Sequence, residues 1–504
     1  MGSALRSEPT AATGTHRAAA WLLLLPLVGY VAGFAAFTPQ AFSVADESFY
    51  VAQAVAFAGG QRFVQGIEPV SGQASMVPAS AYPVGTSLLQ APFVHMGDWR
   101  AAGWLSVVAV VGTVLILAQW LAEAGHPRAL ALIFLFYAPT LVFGRLAMSD
   151  APSAAAVTLG LWLFWRGLAA RGYWWLAAGF VAGAATLFRE SNVLPFVPLL
   201  AGVLLRKERG SAALFAGVAA GLALRAASSA WMFGDPWFLK NSGFGFSLRA
   251  VGANAPLYAV ALMVLLPGGL LAAWRYRGAL RPELIAIIVL FFAFYALYDY
   301  SGVESGGLKR LLLGPRYFIP VVPLLVFMGA SPFMRAVRRV RAATPVRLRR
   351  PLAGAALAIA APFAFAVHPV MAARVSGGTS ISDAIAGVPP SGAVLITNVI
   401  LMQKYIVPGA GPRTIVATSD YGPALVKEMR SHGTSVYVAL LDRTGSEFFA
   451  EATQENERYA GAVATVCRTT LMHDRWHTPV ERLRIWRVGE CGAPSASGPP
   501  AAPK

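Results

Sequence analysis

Apolar residues in this chain run in long unbroken blocks rather than at the spacing of one helix face or one strand face. The blocks recur from Trp21 to Ala373, separated by short polar stretches. Blocks of about 16 to 22 residues match the thickness of a hydrocarbon core crossed by a helix. They predict about eleven spans, at 18–37, 102–122, 129–144, 151–169, 173–188, 191–205, 211–232, 256–274, 283–299, 317–333 and 352–372. The first, Ala18 to Phe37, is too long for a signal-peptide core and reads as a retained helix. The pair 173–188 and 191–205 is short, and Pro195 and Pro198 interrupt its second member. A re-entrant hairpin is the alternative there, and it leaves later orientation unchanged.

From about Val375 the pattern becomes that of a water-soluble domain. Val394–Val399, Thr414–Ala417, Ser435–Leu441 and Leu483–Val488 read as strands, and Tyr421–Ser431 and Ser446–Ala460 as helices. The expected fold is a polytopic α-helical membrane domain over 1–373, an α/β domain over 374–491, and a Pro/Ala/Ser-rich disordered tail over 492–504. Three segments between spans are too long for turns: 38–103 after the first span, 235–255 and 300–316. Long connections in compact proteins usually carry function.

Composition sharpens this picture. Hydrophobic residues make up 56% of the chain and charged residues only 13%, against about 25% charged in a soluble protein. A net charge of +17 invites a nucleic-acid reading. The placement of the charge excludes one, because Arg128, Arg166, Arg206, Lys207, Arg209, Arg275, Arg277, Arg281 and the run 335–350 sit in short loops between apolar blocks. That is the positive-inside pattern. It puts the N-terminus in the cytoplasm, the C-terminal domain outside a bacterial inner membrane, and the basic run against anionic lipid. Cys467 and Cys491 are the two cysteines; they make no zinc site, and a disulfide and two free thiols stay equally open.

Acids are distributed the other way. Asp46, Glu47, Glu68, Asp98, Asp150, Glu190, Asp235, Asp299 and Glu304 fall in the predicted outer loops, several beside a membrane surface. A carboxylate there is costly unless hydrated or paired. Asp46 and Glu47 open a helical stretch that aligns Asp46, Tyr50, Gln53 and Phe57 on one face. Asp150 stands at the outer mouth of the fourth span, before Pro152. Helix capping competes with chemistry at both places. Basic residues at the same mouths, Arg145, Arg189, Lys309, Arg310 and Arg316, could meet an anion, and Arg225 lies within the seventh span. Fixed cations at the interface suit a membrane-anchored phosphate leaving group, and a carboxylate suits activation of an acceptor hydroxyl or amine.

Four segments then resemble the GT-C superfamily, especially the branch of protein O-mannosyltransferases and the lipid A aminoarabinose transferase. Ala45-Asp-Glu-Ser-Phe-Tyr-Val-Ala is similar to its acidic motif in the first outer loop, and Ala81-Tyr-Pro-Val-Gly-Thr-Ser-Leu-Leu to its aromatic-proline segment. Arg145 to Ser153 is similar to its second acidic motif, and Gly314-Pro-Arg-Tyr-Phe-Ile-Pro-Val-Val-Pro to its entry into a late helix. Phe233-Gly-Asp-Pro-Trp adds a weaker match. The resemblance spans roughly 20–335 and implies a polyprenyl-phosphate-linked sugar donor, an extracytoplasmic acceptor and inversion. It implies Asp46 as base with Glu47 in support, Asp150 as an orienting acid and Arg316 near the carrier phosphate. Tyr50, Tyr82, Arg145, Arg189, Arg225, Lys309, Arg310 and Tyr317 complete the expected substrate-binding set. Tyr82-Pro83-Val84 stands where the aminoarabinose transferase has Lys-Pro-Pro, so its sugar and acceptor do not carry over. No cofactor or metal is demanded, although a divalent ion beside Asp46 stays open. The rival readings are a lipid-linked-sugar flippase or transporter, which predicts repeats and a charged mid-membrane path, and an assembly protein.

Overall fold

The structure is a computed structural model, and it describes residues 15–67, 74–170, 172–240, 245–299, 314–343, 346–390, 392–398, 402–406, 414–444 and 447–492. Two compact units emerge. One joins Met1–Thr38 to Tyr82–Met371, and the other joins Pro39–Ala81 to Ala372–Lys504. The segment 38–103, expected as the first outer loop, is therefore divided, its leading part grouping with the C-terminal residues and its trailing part with the helical unit. The disordered tail expected over 492–504 falls outside the described residues after Gly492.

Helices of nine residues or more are numbered here in chain order. The helical unit holds α1 (Thr15–Ala36), α3 (Val84–Met96), α4 (Gly103–Glu123), α5 (Asp150–Ala170), α6 (Tyr173–Ala184), α7 (Val197–Leu205), α8 (Ser211–Phe233), α9 (Leu248–Leu265), α10 (Arg281–Leu297), α11 (Val322–Ala343) and the first part of α12 (Val346–Gly387). Among the described residues five helices are long and apolar enough to cross a membrane: Trp99–Glu123, Asp150–Ala170, Ser211–Phe233, Leu248–Leu265 and Gly314–Arg339. A sixth arises if the bent pair Ile359–Ala373 and Gly378–Gly387 counts as one span. Leu23–Ala36, Tyr173–Leu187 and Glu190–Leu205 are apolar but shorter. The expected span 129–144 is broken into Leu132–Leu135 and Ala138–Phe143, where Tyr137 turns extended ahead of Pro139. Pro139 has no amide to bond the Leu135 carbonyl and its ring crowds that carbonyl, so a helix cannot run through and a new one starts with the proline in its first turn.

Glycines set the closest helix contacts. Gly179 and Gly183 of α6 face Gly217 and Gly221 of α8 so tightly that an added Cβ would meet the Leu214 carbonyl oxygen at 2.0 Å and the Phe180 carbonyl oxygen at 2.4 Å. Gly29 and Gly33 of α1 do the same against Ala361 and Phe365 of α12. Lipid tails are as apolar as leucine, so close backbone approach through small residues drives association there. The span Gly314–Arg339 is the most enclosed, and Leu324, Leu325 and Met328 are buried with Val322. A helix apolar all round belongs in such a position. At one end of α4 and α5, Glu123 bonds Arg166 at 2.8 Å and the Trp162 indole at 3.0 Å, and Arg166 lies over the rings of Trp162 and Trp174. Tryptophan with a charged partner is the expected dressing of a membrane–water boundary.

The second unit holds α2 (Ala45–Ala58), a hairpin of β1 (Val64–Ile67) and β2 (Ala74–Val77), and a five-stranded sheet with strand order β4-β3-β5-β7-β6. The sheet strands are β3 (Val394–Thr397), β4 (Thr414–Ala417), β5 (Val436–Arg443), β6 (Cys467–Thr478) and β7 (Glu481–Cys491), with α13 (Pro423–Ser431) and α14 (Glu447–Val466) between them. β3 runs parallel to β4 and β5, and β7 is antiparallel to β5 and β6. Along β5, Tyr437, Ala439 and Leu441 enter a core with Ile381, Ile385 and Met402, while Val436, Val438 and Leu440 enter another with Val426, Met429 and Val463. The two-residue period of a strand sorts these sets onto opposite faces, so helices cover both sides and β5 is buried throughout. β6 escapes a hydropathy reading because it is the sheet edge, with most of its side chains in water. Its cysteine faces that of β7, and Cys467 and Cys491 are disulfide-bonded.

Candidate active site

The helical unit gathers its polar residues where helices start or break. Asp150 is the first residue of α5 and is fully buried, with Ser149 beside it at 1% exposure. A buried carboxylate needs a cation, and Arg189 supplies it: one Nη donates to Asp150 Oδ1 at 3.1 Å and to Ser149 Oγ at 3.2 Å. Among the described residues no donor reaches the other oxygen, Oδ2.

Arg189 owes its position to a broken helix. After α6 the chain tightens into a 3-10 turn, Ala185–Leu187, becomes extended at Arg189, and resumes as the 3-10 segment Glu190–Phe196 before α7. Pro195 and Pro198, the residues that made this stretch the weakest predicted span, remove amide donors from it. Freed backbone groups that are buried must find partners, and Asn192 serves one by donating to the Ala185 carbonyl at 2.9 Å. Asn192 also donates to Ser153 Oγ, one turn after Asp150, at 2.9 Å, and its own oxygen lacks a donor among the described residues. The next residues extend the network. Ser191 shares a hydrogen bond of 2.8 Å with the Tyr295 hydroxyl, and Glu190 lies 3.5 Å from Arg225 of α8. Arg225 also donates to the Phe238 carbonyl at 2.8 Å and bonds Ser229, so it ties the connection after α8 to the helix.

The 3-10 entry Gly314–Val321 brings the second cation. Arg316 is buried, with its guanidinium 5.2 Å from the Tyr317 ring centroid; Arg189 lies 5.8 Å from the same ring. Tyr317 stacks on Tyr295 at 4.7 Å. Two guanidiniums thus lie beside one phenol ring, and their planar forks suit an anion with several oxygens, a carboxylate or a phosphate. Helix α3 adds a buried polar stripe, Thr86 and Gln90, whose hydroxyl and amide have no hydrogen-bond partner among the described residues. Its Gly85 approaches the helix break so closely that a Cβ would sit 2.7 Å from the Leu187 carbonyl oxygen. Just before α3, the Tyr82 ring carries the Lys240 ammonium 3.3 Å from its centroid. Arg145 serves a different purpose: it is 2% exposed and donates at 2.8 Å to the carbonyls of both Phe37 and His368, joining three chain segments.

In the second unit, Asp46 is half-buried in the first turn of α2. Glu47 is buried and accepts the backbone N–H of Ser43 at 2.7 Å and of Val44 at 3.2 Å, the reach-back bond of a capping box. Its local role is to hold the start of the helix that carries Asp46. Tyr50 is buried one turn on, and Gln53 donates to the Arg62 carbonyl at 3.2 Å, securing the far end of α2. Among the described residues no three His, Cys, Asp or Glu side chains group as a metal site. Glu68, Glu304, Lys309 and Arg310 lie outside the described residues.

Within the helical unit, therefore, Asp150, Arg189 and Tyr317 come together with Arg316, and Arg225 joins through Glu190. Ser153, Ser191, Asn192 and Tyr295 are members the sequence reading passed over. The signal for Ser191 and Asn192 was the polar run Arg189-Glu-Ser-Asn between two apolar blocks, where a simple turn between spans has no need of four polar side chains; Ser153 and Tyr295 lie outside that run.

No family model matches the sequence, and no curated protein matches it. Solved structures do. ArnT from Cupriavidus metallidurans bound to undecaprenyl phosphate superposes with a TM-score of 0.58 over 94% of this chain and 98% of that one, at 14% identity. The apo state of the same protein gives 0.59 over 93% and 98%, at 15% identity. At such identity the likeness is one of fold alone.

Proposed function

We propose that this chain, a multi-pass membrane protein with a GT-C fold, transfers a sugar from a polyprenyl-phosphate carrier to an extracytoplasmic acceptor, with inversion at the anomeric carbon. The observation that carries the reading is the buried Asp150–Arg189 pair, with Arg316 beside the same Tyr317 ring. The likeness to ArnT, whose structure holds undecaprenyl phosphate, supports a carrier of that kind. In this reading about eleven spans leave the N-terminus in the cytoplasm and the C-terminal domain outside a bacterial inner membrane. The Cys467–Cys491 disulfide supports an oxidising location for that domain.

The step is a displacement at C1. Asp46 takes the proton of the acceptor hydroxyl or amine, the acceptor atom bonds to C1, and the C1–O bond to phosphate breaks. Polyprenyl phosphate leaves with the electron pair. Glu47 holds the helix that aims Asp46, and Tyr50 and Tyr82 line the sugar. Arg316 and Arg189 stabilise the negative charge that grows on the leaving phosphate; Lys309 and Arg310, outside the described residues, are assigned to the same anion. Asp150 keeps Arg189 in register, and its second oxygen orients the acceptor or the base. Arg225 and Arg145 hold the surrounding segments in place. Preorganised cations in a site shielded from water act strongly on developing charge. The step needs no nucleotide and no metal.

The test is transfer of radiolabelled sugar from a polyprenyl-phosphate donor by the purified protein, with Asp46→Asn and Asp150→Asn as variants. Loss of transfer with folding intact supports the assignment. Unchanged transfer in Asp46→Asn removes it as the base. Movement of lipid-linked sugar across vesicles, unaltered in both variants and without transfer, would replace the enzyme with a flippase.

A further inference from the structure

We propose that His473 and His477 of β6 form a binding site for a divalent transition-metal ion of the tetragonal class, copper(II) or nickel(II), on the C-terminal sheet. The site is independent of the transferase reading. The two residues sit four apart on one strand, a spacing that puts side chains on the same face about 13 Å apart in a regular strand. Here the ring centroids are 5.1 Å apart and the two Nε2 atoms 2.9 Å apart. Irregularities in the β6–β7 register between Leu471 and His473, and again between Trp476 and Thr478, bracket the pair and accompany the close approach. Bulges of this kind re-aim side chains.

Three features favour a metal over a chance contact. The first is the distance. Two imidazoles bound at about 2.0–2.1 Å have nitrogens about 2.9 Å apart when they subtend a right angle at the ion, and about 3.4 Å in a tetrahedron. The observed 2.9 Å fits the right angle, which belongs to tetragonal copper(II) or nickel(II) rather than zinc. The second is the outer partner. His477 Nδ1 lies 2.9 Å from Ser380 Oγ, and donation of that N–H to the hydroxyl leaves Nε2 as the bare ligand. Metal-bound histidines are oriented in this way by a group behind the ring. The third is that the neighbouring carboxylates are already engaged. Asp474 holds Arg482 through two bonds of 2.6 Å, and Glu481 accepts the Tyr405 hydroxyl at 2.8 Å. The pair therefore offers two neutral nitrogens, with water completing the coordination. Without metal the same distance serves one shared hydrogen bond. On binding, His473 moves its proton from Nε2 to Nδ1, so the neutral pair releases no net proton.

The experiment is a calorimetric titration of the untagged, detergent-purified full chain with copper(II), nickel(II) and zinc(II). The expected result is one site, with copper(II) and nickel(II) ahead of zinc(II). It should be lost in His473→Ala and in His477→Ala, and weakened roughly tenfold in Ser380→Ala. Electron paramagnetic resonance of the copper(II) form should show two nitrogen ligands in the wild type and one at most in either histidine variant. Both histidines are half-exposed on an edge strand, and circular dichroism checks that the variants fold. Absence of a one-to-one copper(II) site in the wild type overturns the proposal, as does equal affinity in the histidine variants.

Discussion

The two units treat buried charge in opposite ways. In the C-terminal sheet, Glu481 is satisfied several times over: one oxygen accepts the Tyr405 hydroxyl at 2.8 Å and faces Lys404 at 3.4 Å and Arg443 at 3.5 Å. Asp442 accepts Asn456 on one oxygen at 3.0 Å and has the Arg484 charge 2.7 Å from the other, although that guanidinium leaves two nitrogens without a hydrogen bond among the described residues. In the helical unit, Asp150 is fully buried with a single cation, and no donor reaches its second oxygen among the described residues. An unmet acceptor at full burial is destabilising, by about 1–3 kcal/mol or more for a charged group. Saturated pairs are what stability alone would select. An unsaturated one, beside cations grouped on a shared ring, is the reason for proposing that a ligand binds there.

That contrast can be broken or sharpened by substitution. The largest effect is expected at the unsaturated pair. Asp150→Asn should cut sugar transfer by about a hundredfold or more, within the range of a lost acid–base or orienting group, while moving the thermal midpoint little. Arg189→Ala should do both, because it strands the buried carboxylate, by about 3–5 kcal/mol. A comparable loss of stability without loss of transfer in Asp150→Asn would erase the distinction between the units. Next comes the disulfide. Its 24-residue separation sets a chain-entropy contribution of about 3 kcal/mol, so Cys467→Ser with Cys491→Ser should lower the denaturation midpoint of the sheet without changing the chemical step.

Removing the saturated carboxylate is expected to matter slightly less. Lys404 and Arg443 are 23% and 25% exposed, so water takes up part of their charge and Glu481→Ala should destabilise by roughly 2 kcal/mol. Its signature is an intact turnover number in the folded fraction. The smallest effect concerns pH. Burial, followed by the nearby Arg338 charge, lowers the pKa of His126 from the ordinary histidine value, so the folded state favours the neutral ring. The contribution is complete above an unfolded pKa of about 6.5 and is lost as pH falls through the lower folded value. Thermal midpoints measured downward from neutrality should therefore fall a little faster in the wild type than in His126→Gln.

Period and composition carried much of this protein. Apolar blocks longer than a soluble helix needs, with Arg and Lys concentrated in short loops, determine a membrane protein and the change of solvent near Val375, because a bilayer imposes its thickness and its charge bias directly on the chain. The apolar run 435–441 reads as a strand, and β5 is one; a strand buried on both faces carries apolar residues continuously rather than in alternation. The acidic positions were legible as single residues, Asp46 at the start of α2 and Asp150 at the start of α5. Their partners were not. Pairing Asp150 with Arg189 requires a helix that stops at Ala184 and restarts at Val197, and a hydropathy window sees only two short apolar runs there. The edge strand β6 and its two facing histidines were likewise invisible, since an edge is held by its neighbour's backbone and not by an apolar pattern of its own. One-dimensional spacing reports what each residue avoids or seeks in its solvent; which distant residue answers it is decided only when separate segments are packed into contact.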